Sequence, residues 1–295
     1  GHTGLMMAVS VGLTLLNTGL DIVFVTAFGW GAAGVAAGTV IAETAGAIFG
    51  LAAVALVLAR NDGLAAHWRQ IDYLAARSLK HLLAVNLDIF IRTLILVGAI
   101  AWFIQRSAVY GDYVLSANQV LFQLFLVTGL VLDGSAIAAE ALVGQALGAA
   151  RKRTRHVRFY QTVTRSGVIA AIAAVTLTLA YLIFGGPLLD LAAPDPQINA
   201  TAHKYFGWVM ISPLIVATSF QLDGIYIGAT RSRALRDSMI VSGLVYLVAV
   251  LALTGPFGNH GLWAAFSIFL LARAGTLIAL WPGFRALIET RPAGE

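Results

Sequence analysis

Six acids and two arginines fall within segments that are otherwise apolar: Asp21, Glu43, Asp88, Asp133, Glu140 and Asp223, with Arg92 and Arg273. An ionisable group inside a bilayer costs about 2.5–3.5 kcal/mol on insertion scales, so each is a functional candidate by default. Asn17 and Asp21 are four residues apart, as are Thr39 and Glu43, so each pair shares one helix face. A carboxylate, an amide oxygen and a hydroxyl form an all-oxygen site that suits Na⁺ at Asn17, Asp21 and Thr39. Two desolvated carboxylates brought close would instead hold a proton. The plainer alternative stays open, in which Asn17 and Thr39 bond to backbone and an acid pairs with a distant arginine. In a second cluster, Asp88 and Arg92 lie one turn apart. With Asp133, Glu140 and Asp223 they predict a charge network centred on Arg92 and extended by Arg273. It would serve as a fixed clamp between helices or as a gate whose pairs break and re-form. Asp133 and Asp223 sit in similar strings, Leu132-Asp133-Gly134 and Leu222-Asp223-Gly224, each with Ile three residues on, which reads as an internal repeat.

These residues need elements to hold them, and the composition limits which. Of 295 residues, 59% are hydrophobic and 11% charged, with a mean hydropathy of +0.84. Ordinary soluble domains carry about 25% charged residues, so a soluble enzyme, a nucleic-acid-binding domain and a disordered scaffold are excluded. Eight continuous apolar segments, rich in Ala, Leu and Gly and without period-2 alternation, predict membrane helices at about 5–27, 33–59, 81–104, 113–148, 162–184, 203–229, 238–256 and 261–283. The fold class is therefore an all-α integral membrane protein. The short link between the first two segments predicts an antiparallel hairpin that brings the Asn17/Asp21 and Thr39/Glu43 faces together. Pro213, about ten residues into the sixth span and read as the only proline well inside a helix, should bend it.

Basic residues set the orientation. Arg60, Arg69, Arg77 and Lys80, then Arg151, Lys152, Arg153, Arg155 and Arg158, then Arg231, Arg233 and Arg236, then Arg285 and Arg291 fall in the links on one side. They make fourteen of the 19 Lys and Arg. That side is predicted to be cytoplasmic, with both termini inside. Trp30, Trp102, Trp208 and Trp263 at the outer ends, and Trp281 at an inner end, suit an interfacial aromatic belt. No cysteine is present, and H-E-x-x-H, G-x-S-x-G and phosphate-loop motifs are missing. The reading is a transporter and not an enzyme, with no cofactor beyond a coupling ion.

The strings NTGLD (17–21), GVAAGTVIAE (34–43), LDIFIRT (87–93), LDGSAIAAEALVGQALGA (132–149), LDGIYIGATRSRALRDSM (222–239) and GNHGLW (258–263) together resemble the multidrug and toxic compound extrusion (MATE) transporters, in their DinF-like branch. The resemblance implies twelve helices in two six-helix lobes. Residues 1–60 would supply the last two helices of the N-terminal lobe, 61–80 the cytoplasmic inter-lobe linker, 81–285 the complete C-terminal lobe and 286–295 a cytoplasmic tail. The first four helices of the family pattern are not in the sequence, as in a fragment. The family's cation or proton site maps onto Asn17, Asp21 and Thr39, with Glu43 where many members carry glutamine. The resemblance further implies export of small amphiphilic or cationic compounds in exchange for H⁺ (or Na⁺) by rocking lobes. It implies a monomer in the lipid of a bacterial inner membrane, with no nucleic-acid partner. The alternative is a lipid-linked oligosaccharide or lipid flippase of related architecture. Six buried acids against two arginines favour neutral or cationic cargo.

Overall fold

The computed structural model describes residues 3–59, 76–148 and 152–284, which are almost entirely helical. Helix α1 (Thr3–Ile22) runs into a π-helical turn, Val23–Ala27, and α2 (Gly31–Ala59) returns. Then come α3 (Ala76–Ala108), α4 (Asp112–Leu147), α5 (Lys152–Ala192) and α6 (Pro196–Gly228). The last helical stretch, Ser232–Ala279, breaks at Gly258. Ser238 Oγ lies 2.6 Å from Thr276 Oγ1, and the Tyr246 and Phe269 rings are 5.5 Å apart, so the two halves fold back as antiparallel helices α7 (232–257) and α8 (259–279). Among the described residues seven stretches are long and apolar enough to cross a membrane, and the reversal at Gly258 turns them into eight crossings. The inter-lobe segment 61–80 lies outside the described residues up to 75, and its remainder already belongs to α3. The tail 286–295 lies outside them entirely.

The chain divides into two compact units, Gly1–Leu79 and Lys80–Glu295. The first is the α1–α2 hairpin. Its tip is closed by Phe24 and Trp30, stacked 5.2 Å apart, with the Trp30 amide donating to the Phe24 carbonyl. The second unit holds α3 to α8. Its interior is a run of tilted and edge-on aromatic rings from Phe103, Phe122, Phe125, Trp263, Phe266 and Phe269, all buried. Leu130, Leu182, Ile183, Val248 and Leu251 are exposed on its outside, as expected of side chains in a helix that meets lipid. Since lipid tails are as apolar as leucine, helix association here rests on close van der Waals fit. Small residues provide it between α4 and α6, the most extensive helix pair. A Cβ on Gly224 or Gly228 would overlap the backbone at Ala136 or Glu140.

Sequence cues explain the ends. Asp195 caps α6 by accepting from the amides of Gln197 (2.8 Å) and Ile198 (3.1 Å), with Pro196 opening the helix. Helix α5 extends well past the predicted 162–184, which puts Pro187 inside a helix along with Pro213. The sharp reversal between α7 and α8 depends on Gly258, with φ 53° and ψ −131°, a conformation that only glycine adopts readily. Gly258→Ala is expected to destabilise the protein by about 1–3 kcal/mol. The comparison is thermal unfolding in detergent against Gly167→Ala, which meets open space in a regular helix. Equal midpoints for the two variants would refute the claim.

Candidate coupling site and charge networks

Within the α1–α2 hairpin, Asn17 Nδ2 donates to Thr39 Oγ1 at 3.3 Å, and Thr39 donates its own proton to the Val35 carbonyl at 2.9 Å. The two predicted faces therefore meet. One turn further along α1, Asp21 is half-buried, and its Oδ1 is shielded from solvent without a hydrogen-bond partner among the described residues. The space it occupies exists because residue 38 is glycine: a Cβ there would overlap Oδ1. The π-helical turn begins two residues after Asp21, and such turns are frequent at functional sites. Glu43 is exposed, and among the described residues it makes no hydrogen bond or ion pair. The carboxylate pair expected from Asp21 and Glu43 is not formed within this hairpin.

An unpartnered buried carboxylate oxygen costs free energy unless something binds it. A proton or a small cation would satisfy Asp21 Oδ1, and the oxygens of Asn17 and Thr39 lie on the neighbouring turn. The residues present therefore fit either ion. Among the described residues no group of three or more His, Asp or Glu side chains converges as a metal centre would require.

The second unit carries two charge networks, where one centred on Arg92 was expected. In the first, Asp223 is the hub. It is 5% exposed, Arg92 reaches its Oδ2 at 2.6 Å, and Arg273, 4% exposed, pairs with the same oxygen. Two guanidinium groups share one carboxylate, while Asp223 Oδ1 and Arg92 Nε have no hydrogen-bond partner among the described residues. In the second, Asp88 accepts from Arg236 at 2.5 Å and from the Ser232 hydroxyl at 2.8 Å. Asp88 thus does not pair with Arg92, although the two lie one turn apart. Residues four apart on a helix can meet, but Asp88 is buried at 4% against the start of α7, where Arg236 lies in the first turns.

Asp133 and Glu140 make no ion pair among the described residues. Asp133 is exposed, within electrostatic reach of both Arg92 and Arg273, and Glu140 is half-buried. The repeated Leu-Asp-Gly strings thus have unlike roles. Gly224 presses on α4, whereas Gly134 faces open space.

One cluster of uncharged polar residues, in the second unit, was not anticipated from the sequence. Asn118, buried at 2%, donates to Ser107 Oγ and Asn259 Oδ1, both at 2.7 Å. Its own carbonyl oxygen accepts from Asn259 Nδ2 at 3.1 Å and from the Trp263 indole N–H at 2.9 Å. Trp263 is consequently a core residue at 2% exposure and not part of an interfacial belt. The available signal was an amide in the middle of an apolar span, since a buried amide needs partners.

Long apolar helices with exposed apolar flanks, packed on small residues around buried ion pairs, define a polytopic α-helical membrane protein. The MatE family model matches residues 89–253, more than half of the chain. The chain belongs to that family, whose proteins are transporters and not enzymes. The chain is 34% identical over 272 residues to "DNA damage-inducible protein F" of Escherichia coli (strain K12), covering 90% of this chain and 56% of that protein. It is 27% identical to "Protein DETOXIFICATION 44, chloroplastic" of Arabidopsis thaliana, covering 88% and 47%. The chain spans about half the length of the curated relatives it matches. Among solved structures, a mutant of the Vibrio cholerae MATE transporter VcmN superposes with a TM-score of 0.82 at 18% identity, over 96% of this chain and 64% of that one.

Proposed function

We propose that the protein of which this chain forms all or part is a secondary active efflux antiporter, exporting small amphiphilic or cationic compounds in exchange for H⁺ (or Na⁺). The observation that carries this is the shielded, unpartnered Oδ1 of Asp21 in the notch made by Gly38, beside the Asn17–Thr39 contact. Asp21 takes up the ion from outside, with Asn17 and Thr39 orienting it and Glu43 supplying a second carboxylate when other elements close over the hairpin. Uptake favours one arrangement of the lobes over the other, and about 5.5 kcal/mol of differential binding would reverse a 1:99 population.

In the same reading, residues 1–60 are the last two helices of one lobe and 81–285 the whole of the other. The basic links face the cytoplasm of a bacterial inner membrane, and the transporter works as a monomer. The pairs around Asp88, Arg92, Asp223 and Arg273 stabilise one state. Arg92 is partly exposed and has an idle Nε, and Asp133 stands nearby as its alternative partner when the state changes. Glu140 belongs to the same gate.

The test is efflux of a fluorescent cationic dye from cells expressing the complete reading frame that contains this chain, under imposed proton and then sodium gradients. Asp21→Asn is expected to abolish gradient-driven efflux at normal expression. Gly38→Ala, which pushes the carboxylate out of its notch, should reduce it at least severalfold. Unchanged efflux in Asp21→Asn would remove the coupling mechanism. A wild type that exports no dye under either gradient would shift the reading to a lipid-linked oligosaccharide flippase.

A further inference from the structure

We propose that the cavity between the C-terminal end of α4 and the N-terminal third of α5 binds the phosphate headgroup of an anionic phospholipid. The cavity is about 300 Å³ and is walled by Leu142 and Gln145 of α4 and by Arg158, Gln161, Thr162 and Arg165 of α5. Arg158 and Arg165 are seven apart, hence on one face, with Gln161 and Thr162 between them. Among the described residues no carboxylate lines the cavity. Among the described residues neither guanidinium has a partner, and the side chains of Gln145, Gln161 and Thr162 make no hydrogen bond. Arg92, Arg236 and Arg273 of the same unit, by contrast, are each matched to a carboxylate. Two unmatched positive charges surrounded by unused donors call for a doubly liganded oxyanion, and a guanidinium fork suits phosphate.

The depth of the site selects a lipid over free phosphate. From Ser166 to Leu189 α5 has no charged residue, a run of about 36 Å at ~1.5 Å per residue. That is enough to cross a hydrocarbon core of about 30 Å. Arg165 therefore stands at the edge of the hydrocarbon, and Arg158 about 10 Å further out, at headgroup level. Below them Val168, Ile169 and Ile172 are exposed in line along α5, a track for an acyl chain. Basic pockets between membrane helices are suited to anionic headgroups. The site is remote in sequence from the Asp21 hairpin, so it stands or falls apart from the coupling reading.

Native mass spectrometry of the purified, delipidated protein tests it, with phosphatidylglycerol, phosphatidylcholine of matched chains, and inorganic phosphate as separate probes. Preferential binding of one phosphatidylglycerol is expected. Arg158→Gln and Arg165→Gln should each weaken it about fivefold, while Arg106→Gln, at the other end of the unit, leaves it unchanged. Both cavity arginines occupy exposed positions, so the single variants carry the test even if the double variant folds poorly. Equal binding of the two lipids, or retention in the single variants, would overturn the proposal. Displacement of the lipid by equimolar inorganic phosphate would reassign the cavity to a soluble anion.

Discussion

Asp223→Ala is expected to be the most damaging single substitution in the six-helix unit. It leaves Arg92 and Arg273 facing one another with no paired carboxylate, only the exposed Asp133 within electrostatic reach, and Arg273 is 4% exposed. Removing one member of a buried ion pair costs about 3–5 kcal/mol because the survivor stays charged and unsolvated. Here the buried Arg273 loses its partner and is repelled by Arg92. The thermal midpoint of detergent-solubilised protein should fall by on the order of 10 °C, with loss of the monodisperse peak in gel filtration. Arg273→Met is expected to be much milder, since the Arg92–Asp223 pair remains and is neutral. Asp237→Asn serves as the control: Asp237 is exposed and pairs with Arg236 at the surface, where ion pairs contribute little. If Asp223→Ala and Asp237→Asn unfold at the same temperature, the Asp223 hub does not hold the unit together.

Gly224→Ala and Gly228→Ala should have the next largest effect, and for the opposite reason. They add atoms where there is no room. Each new methyl would overlap backbone of α4, at Ala136 and at Glu140, and backbone cannot rotate aside as a side chain can. The helices must separate, which loosens contacts along their whole length. Overpacking of this kind costs about 1–3 kcal/mol per site. The informative comparison is Gly134→Ala, in the matching Leu-Asp-Gly string. There a methyl meets nothing, and relief of glycine's conformational cost should stabilise the helix by about 0.5–1 kcal/mol. Opposite signs of the shift in thermal midpoint are expected from chemically identical substitutions in two look-alike strings. Shifts of the same sign would mean that the α4–α6 contact is not as close as described.

That contrast marks the limit of what the sequence discloses. Membrane crossings are legible because hydropathy is a local property, and the predicted hairpin follows from a five-residue link. Which face of a helix is buried depends on its neighbours, so Asp133 and Asp223 read alike yet one is exposed and the other is a buried hub. Arg236 resembles one more basic link residue. It became Asp88's partner because α7 starts at Ser232, immediately after the turn at Thr230 and Arg231, which carries Arg236 into the first turns of a packed helix. In the hairpin, Asn17 and Thr39 could be paired from spacing alone. The role of Gly38 could not, since it is visible only as the space that Asp21 fills.

The hairpin between α7 and α8 also constrains how the chain is made. A reversal within a residue or two leaves no extramembrane segment that could be released and threaded separately. We therefore expect the two helices to leave the insertion machinery together, as one wedge. Until they arrive, Arg92 and Asp223 form a self-neutralising pair in the nascent bundle. Helix α8 brings Arg273, a second cation on the same carboxylate, so this cluster acquires its final electrostatic character only once α8 is in place.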